Sequence, residues 1–281
     1  LHLCDRRQRQ MCIRDREKGR NSHYMLLDVL RLRTIRLGVL LYLLLMIFNS
    51  SAMFVNVFTG IGMKLDNYQN ATLGNWCMAG YAIGALSSMF LGSKGVHFKY
   101  LFAAGFLFLG LSAVFMYFEV QSAGLYERMK YPVIIRTTGM MFLYALTAAY
   151  ATQRMPYKYL STWICVMLTV RMVLGPSIGG AIYSNVLQER QQHYIVRYAQ
   201  NVDMLHPEAS ASFIQTMQGM QYQGKSKQEA LNMAALSTKG RIQVQATLSA
   251  VKEMAGWTIY GCLFCMIFVL IIPYPKRKLL T

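Results

Sequence analysis

Acidic side chains are scarce. Only 12 of the 281 residues are Asp or Glu, against 29 Lys and Arg, and charged residues make up 15% of the chain. Soluble domains carry about a quarter charged residues, so this chain is poor in the groups that keep a surface in water. Cys, at 6, and Gly, at 21, are too few for a disulfide scaffold or a collagen repeat. The histidines His2, His23, His97, His193 and His206 form no ligand cluster. There is no Walker-type phosphate loop, nucleophile elbow or His-Glu-x-x-His pair, so ATP-driven transport and hydrolysis have no support. A membrane-embedded enzyme would lack any catalytic constellation, and no cofactor is expected. Cys262-Leu263-Phe264-Cys265 has the spacing of a metal or redox pair, but it stands in an apolar stretch without a second pair. It reads as two buried thiols, and no metal is expected.

What the chain does contain is long apolar runs, within a composition that is 54% hydrophobic. A run of about 18 residues or more with few charges reads as a membrane span. Six qualify: 37–60, 73–91, 100–118, 133–151, 160–183 and 255–272. The first has no charge, the fourth has Arg136 near its start, and the fifth contains Arg171 and Pro176. Helices are expected because backbone N–H and C=O groups must pair internally in lipid. A transmembrane β-barrel would alternate in polarity over segments of about 10 residues, and no such pattern occurs. The same runs exclude disorder.

Basic residues set the orientation. Arg31, Arg33, Arg36, Lys94, Lys99, Arg154, Lys158, Lys276, Arg277 and Lys278 fall on one side, against Lys64, Arg128 and Lys130 in the opposite short loops. Both termini are therefore expected in the cytoplasm. The net charge of +17 then reflects anchoring beside the bilayer rather than a nucleic-acid surface.

The spans imply a division of the chain. A basic tail covers 1–20, a cytoplasmic linker or interfacial helix 21–36, and spans one to five 37–184. A helical extracytoplasmic insertion follows at 185–254, then span six at 255–272 and a cytoplasmic tail at 273–281. In the insertion, His206-Pro207-Glu208 marks a break followed by a helix start, because proline suits the first helical position. Gly224 marks a stop, and Ser226-Lys227-Gln228-Glu229 matches a capping box. From about Arg241 no proline intervenes before Pro273, so one helix is expected to run into span six. The tail is a separate matter. Its string Met11-Cys12-Ile13-Arg14-Asp15-Arg16 resembles translated sequencing-adaptor read-through, so 1–20 stands outside the fold reasoning. The alternative is an ordinary basic tail.

Three spans carry chemistry-bearing faces. In span five, Gly175 and Gly179 are four apart on one face, where a neighbouring helix can approach closely, and Pro176 between them kinks the helix. Gly180 completes the string Gly175-Pro176-Ser177-Ile178-Gly179-Gly180. Arg171 reads as the one ionisable residue deep in a span, one turn from Gly175 on the same face. It could face a carboxylate or snorkel to the interface. Asn49, Met53 and Asn56 share a face of span one, and Arg136, Met140, Tyr144 and Thr147 a face of span four. Thioether, aromatic and sparse polar groups suit a cavity for amphipathic molecules, and they equally suit interhelical hydrogen bonding. Gly80, Gly84 and Ser88 of span two read as a packing face.

The order of parts resembles the C-terminal half of a major facilitator superfamily transporter of the 14-span drug:proton antiporter branch, from about residue 24 onward. Asp28-Val29-Leu30-Arg31-Leu32-Arg33 resembles the linker helix before the second six-span bundle. Gly175-Pro176-Ser177-Ile178-Gly179-Gly180 resembles the antiporter motif G-P-x-x-G-G, and the stretch from Gln243 to Trp257 resembles the lead-in to the last span. The resemblance implies an all-α membrane protein with a six-helix bundle. It implies half of a proton-coupled exporter of amphipathic organic compounds, in a bacterial inner membrane, working by alternating access. Its partners would be the bilayer, a small amphipathic substrate and the other transporter half. In Gram-negative members a periplasmic adaptor and an outer-membrane duct join them. The chain departs from the family pattern in three ways. The motif is best known in the other half. The loop Gly92 to Lys99 lacks the family's Asp. No span holds an Asp or Glu. The chain is therefore expected to be a fragment that does not complete a transport cycle alone. The alternative is a non-transporting scaffold that docks a partner on the 185–254 loop.

Overall fold

The computed structural model describes residues 33–121, 126–153, 157–201, 207–272 and 274. The 1–20 tail, most of the 21–36 linker and all of the 273–281 tail except Tyr274 lie outside them. Every regular element among the described residues is helical.

Nine α-helices are described: α1 Arg33–Asn49, α2 Ala52–Val57, α3 Asn67–Ser93, α4 Phe98–Glu119, α5 Tyr126–Thr152, α6 Leu160–Thr169, α7 Gly175–Asn201, α8 Pro207–Tyr222 and α9 Lys227–Ile271. Two π-helical turns interrupt the apolar rods. Phe58–Gly62 extends α2, and Val170–Leu174 joins α6 to α7. Five described helical stretches are long and apolar enough to cross a membrane: Thr34–Gly62, Phe98–Glu119, Tyr126–Thr152, Leu160–Gln200 and Lys227–Ile271. This is the architecture of a multi-pass membrane protein.

The count is five where the sequence reading gives six. The expected second span lies on α3, which at 27 residues is long enough to cross. Four glycines, together with Asn75, Ser87 and Ser88, dilute its apolar character. It still packs lengthwise on α5. A Cβ on Gly80 would lie 2.6 Å from the Ile134 carbonyl oxygen, and one on Gly84 would lie 2.5 Å from that of Thr138. Only glycine lets the two backbones come this close.

Helix pairing sets the bundle. α4 packs on α5 and α9, α5 also on α1 and α3, and α1 on α7. The apolar core forms two clusters along the bundle axis. One gathers Tyr42, Met46, Phe102, Phe106, Leu109, Met140, Phe142, Val170 and Cys262. The other gathers Phe54, Phe58, Met116, Met129, Val133, Tyr183 and Met254. Each core helix passes from one cluster to the other, and the residues at the crossing form the site described below.

Beyond the bundle, α7 and α9 continue side by side. Gln191 Nε2 donates to Thr247 Oγ1 at 2.8 Å, Tyr198 and Ser249 share a hydrogen bond of 2.7 Å, and Arg190 pairs with Glu253 at 3.6 Å. α8 begins at Pro207 and packs on α9. After it the chain turns at Gly224, where φ is +82°, a value that favours glycine. The Ser226 hydroxyl accepts from the Glu229 N–H, and the Glu229 carboxylate accepts from the Ser226 N–H. This capping box starts a helix of 45 residues, about 68 Å at 1.5 Å per residue. The helix into span six thus begins fourteen residues before Arg241, since nothing between Lys227 and Arg241 stops it.

Candidate functional site

A polar layer separates the two apolar clusters, and the core helices meet there. α1 ends at Asn49, and Ser50 and Ser51 form a turn before α2. Ser50 Oγ donates back to the Met46 carbonyl at 3.3 Å, which partly satisfies the broken helix. α4 contributes Ser112, between Leu109 and Met116. α5 contributes Arg136, between Val133 and Met140. α9 contributes Thr258, between Met254 and Cys262. Ser51, Ser112, Arg136 and Thr258 line one small cavity of about 20 Å³, room for a single water.

Arg136 is the centre of this layer. Its Nη1 donates to Asn49 Oδ1 at 3.1 Å. Its Nε is enclosed and without a hydrogen-bond partner. Among the described residues no carboxylate pairs with it. The sequence reading places Arg136 near the start of a span and leaves Arg171 as the one deep charge. The structure corrects this. α5 begins at Tyr126 rather than at 133, so Arg136 is ten residues inside the helix, with 16 more behind it. Its charged first turns hide the helix start from a hydropathy reading. Glu127 pairs with Lys130 there, and the Lys130 ammonium lies 5.2 Å from the Trp76 ring.

Arg171 is exposed, with its guanidinium 5.1 Å from the centre of the Tyr144 ring. Gly175, one turn on, is buried against Met46, whose sulfur accepts from the same Tyr144. The Gly175 N–H reaches back five residues to the Val170 carbonyl, the bond of a π turn.

The antiporter-like motif lies against the break in α1. A Cβ on Gly175 would fall 2.4 Å from Met46 Cβ, and one on Gly179 2.3 Å from Ser50 Oγ. Gly180 has nothing within 4 Å, and Pro176 is exposed. Gly175 and Gly179 therefore hold α7 close against the point where span one breaks.

The remaining predicted residues separate. Tyr144 donates its hydroxyl to Met46 Sδ at 3.4 Å and packs edge-on against Tyr42, with ring centres 5.1 Å apart. Tyr144 and Arg171 thus meet at the seam between spans one, four and five, and Asn49 and Arg136 pair at the polar layer. Met140 is buried in the first cluster. Thr147 is buried with its hydroxyl bonded to the Leu143 carbonyl at 2.8 Å. Both point into packed interior rather than toward open space. Met53 is half-buried against the second cluster, and Asn56 is exposed. The sequence reading misses Ser51, Ser112, Thr258 and Tyr42. Ser112 carries the best signal, a lone hydroxyl in the middle of an apolar run.

Chemically, the layer offers one guanidinium and several hydroxyls. A guanidinium pairs with anions and carboxylates but does not exchange protons near neutral pH, and the cavity beside Arg136 has room for one water only. No group of three metal-ligating side chains occurs among the described residues. Cys262 and Cys265 are buried free thiols. Comparison with protein-family profiles, with curated proteins and with solved structures found no match.

Proposed function

We propose that this chain is the C-terminal half of a proton-coupled exporter of amphipathic organic compounds, of the major facilitator type, in a bacterial inner membrane with both termini cytoplasmic. The observation that carries the reading is Arg136, a charge ten residues inside a membrane helix without an ion pair among the described residues. An intramembrane charge is costly and marks a functional pathway. Its missing counter-charge is the carboxylate or anionic group of a substrate, or an acid of the other transporter half.

Two further features support it. Span one pairs with span five, and span two with span four. In a three-plus-three repeat, span one corresponds to four and span two to five, so these two contacts are equivalent. The motif glycines also touch span one where it is broken, so a rocking α7 would move Asn49, the Arg136 acceptor. Proton coupling would use acids outside these spans.

Expression of the protein in its native gene context in a drug-sensitive bacterium tests the reading. Tolerance of amphipathic compounds rises, and Arg136→Met removes the gain while the protein stays in the membrane at the same level. Unchanged tolerance on expression, or full activity of Arg136→Met, refutes it. A second reading, a scaffold that docks a partner, draws on the bonded α7–α9 projection. Deletion of 205–238 would then abolish partner capture without affecting drug tolerance.

A further inference from the structure

The projecting part holds a half-open cavity of about 640 Å³, lined by α7, α8 and α9. Small-molecule sites run from about 300 to 1,000 Å³. Its position follows from the length of α9. About 20 residues back from Ile271 cross the hydrocarbon, which ends near 251. The α9 wall of the cavity, 227–243, then stands about 12–36 Å outside the hydrocarbon.

The walls are apolar although they stand in water. Ile195 and Ala199 come from α7, Phe213 and Met217 from α8, and Leu231 and Ala235 from α9. Exposed apolar side chains in lipid need no explanation. Here they mark a surface built to be covered, with Ile214 46% and Leu231 41% exposed. Ala199 and Ala235 keep the slot open on two sides.

The charged groups stand toward the ends of the α9 wall. Lys227 stands at the outer end. Lys239 and Gln243, one turn apart, stand at the end nearer the membrane, with Leu231, Ala235 and Thr238 between, and Ser210 of α8 adds one more hydroxyl to the lining. Among the described residues no carboxylate lines the cavity and none pairs with Lys227 or Lys239. The α9 wall is about 24 Å long at 1.5 Å per residue, close to the reach of an extended sixteen-carbon chain.

We infer that the slot between α7, α8 and α9 binds a single-chain amphiphile with an anionic headgroup. The headgroup accepts from Lys239 Nζ and the Gln243 amide, and the acyl chain runs outward along Leu231 and Ala235 toward Phe213. This site lies outside the polar layer of the bundle. Its readout is binding, so it stands or falls independently of the export reading.

The test uses the protein in nanodiscs of zwitterionic lipid, with empty nanodiscs subtracted. The probe is 11-(dansylamino)undecanoic acid, whose emission rises and shifts to the blue in an apolar site. Saturable one-to-one binding is expected, displaced by palmitate. Hexadecanol and hexadecyltrimethylammonium should compete at least about tenfold more weakly, as expected for loss of one charge-assisted hydrogen bond. Ala235→Trp, which fills the slot from an exposed position, should abolish binding. Lys239→Ala should weaken palmitate about tenfold and leave hexadecanol unchanged. Helical content by circular dichroism checks that both variants fold. Equal affinity for the neutral, cationic and anionic chains overturns the assignment, as does full binding by a folded Ala235→Trp. Absence of saturable binding, with a partner helix captured on the slot instead, also overturns it.

Discussion

Substituting alanine for either of two adjacent glycines of α7 gives opposite outcomes. At Gly179 a new Cβ would sit 2.3 Å from Ser50 Oγ and 3.1 Å from Ile47 Cα. At Gly180 it meets nothing within 4 Å. Both changes gain the same helix propensity, about 1 kcal/mol, so that contribution cancels between them. What differs is the contact. Ser50 Oγ must rotate away, and the Ile47 Cα and Ser50 Cβ contacts at 3.1 Å require α1 and α7 to separate by a few tenths of an ångström; such overpacking costs about 1–3 kcal/mol. Gly179→Ala should therefore melt about 2–10 °C below Gly180→Ala, by the scaling for chains of about this size. Tryptophan fluorescence followed during heating of the purified protein in one detergent reads the order directly. A double-mutant cycle sharpens it. Ser50→Ala removes the nearest atom, so it should recover part of the loss in Gly179→Ala while costing little alone. If Gly179→Ala is as stable as Gly180→Ala, α7 does not rest on the break in α1, and the argument that the motif glycines bear on Asn49 fails with it.

Other consequences follow from single side chains. Asn49→Leu removes the side-chain acceptor of Arg136 and should destabilise the protein by about 1–3 kcal/mol, whereas Arg136→Met should be neutral or stabilising in the same melt, because it removes an unpaired charge from the interior. A lower melting temperature for Arg136→Met would contradict the packing around it. Ser226→Ala breaks the capping box that starts α9 and should cost about 1 kcal/mol, read as faster amide exchange over 227–230 with the rest of α9 unaffected. In a variant lacking Cys4 and Cys12, maleimide should label Cys77 and Cys165 in the folded protein and leave Cys262 and Cys265 for the denatured one, since the last two are 1% and 3% exposed. Prompt labelling of Cys262 would show that α9 does not pack on α4 at this level.

Local signals read well from the sequence because their physics is local. Pro207 starts α8, Gly224 takes a left-handed turn, and Ser226 and Glu229 cap α9 reciprocally, each signal being complete within a few residues. The glycines of α3 were legible for a related reason. Gly80, Gly84 and Ser88 repeat at helical spacing, and a backbone approaches that face. The boundaries of membrane spans were less legible, because hydropathy measures apolar content and not helix length. α5 carries Glu127, Arg128 and Lys130 in its first turns and so extends seven residues beyond its apolar run, while α3 has the length of a span with too little apolar content.

The polar layer itself was only half legible, and the reason is geometric. Helical periodicity assumes an unbroken α-helix, and both spans that carry the motifs break that assumption. Span one breaks at Ser50 and Ser51, and span five contains a π turn just before Pro176. Since proline has no N–H to offer the preceding turn, a change of hydrogen-bond pattern beside it is natural. Each break resets the faces that follow, so Asn56 is exposed while Asn49 meets Arg136. The pairing of Asn49 with Arg136 joins residues 87 apart, and nothing in either local sequence announces it. The break in span one and the unpaired charge occur at one level of the bundle, between two packed apolar clusters, and the π turn lies beside the first of them. Packed clusters move as units, so a bundle built this way would deform most readily at the layer between them, where one helix is already broken and Gly179 of α7 rests against the break.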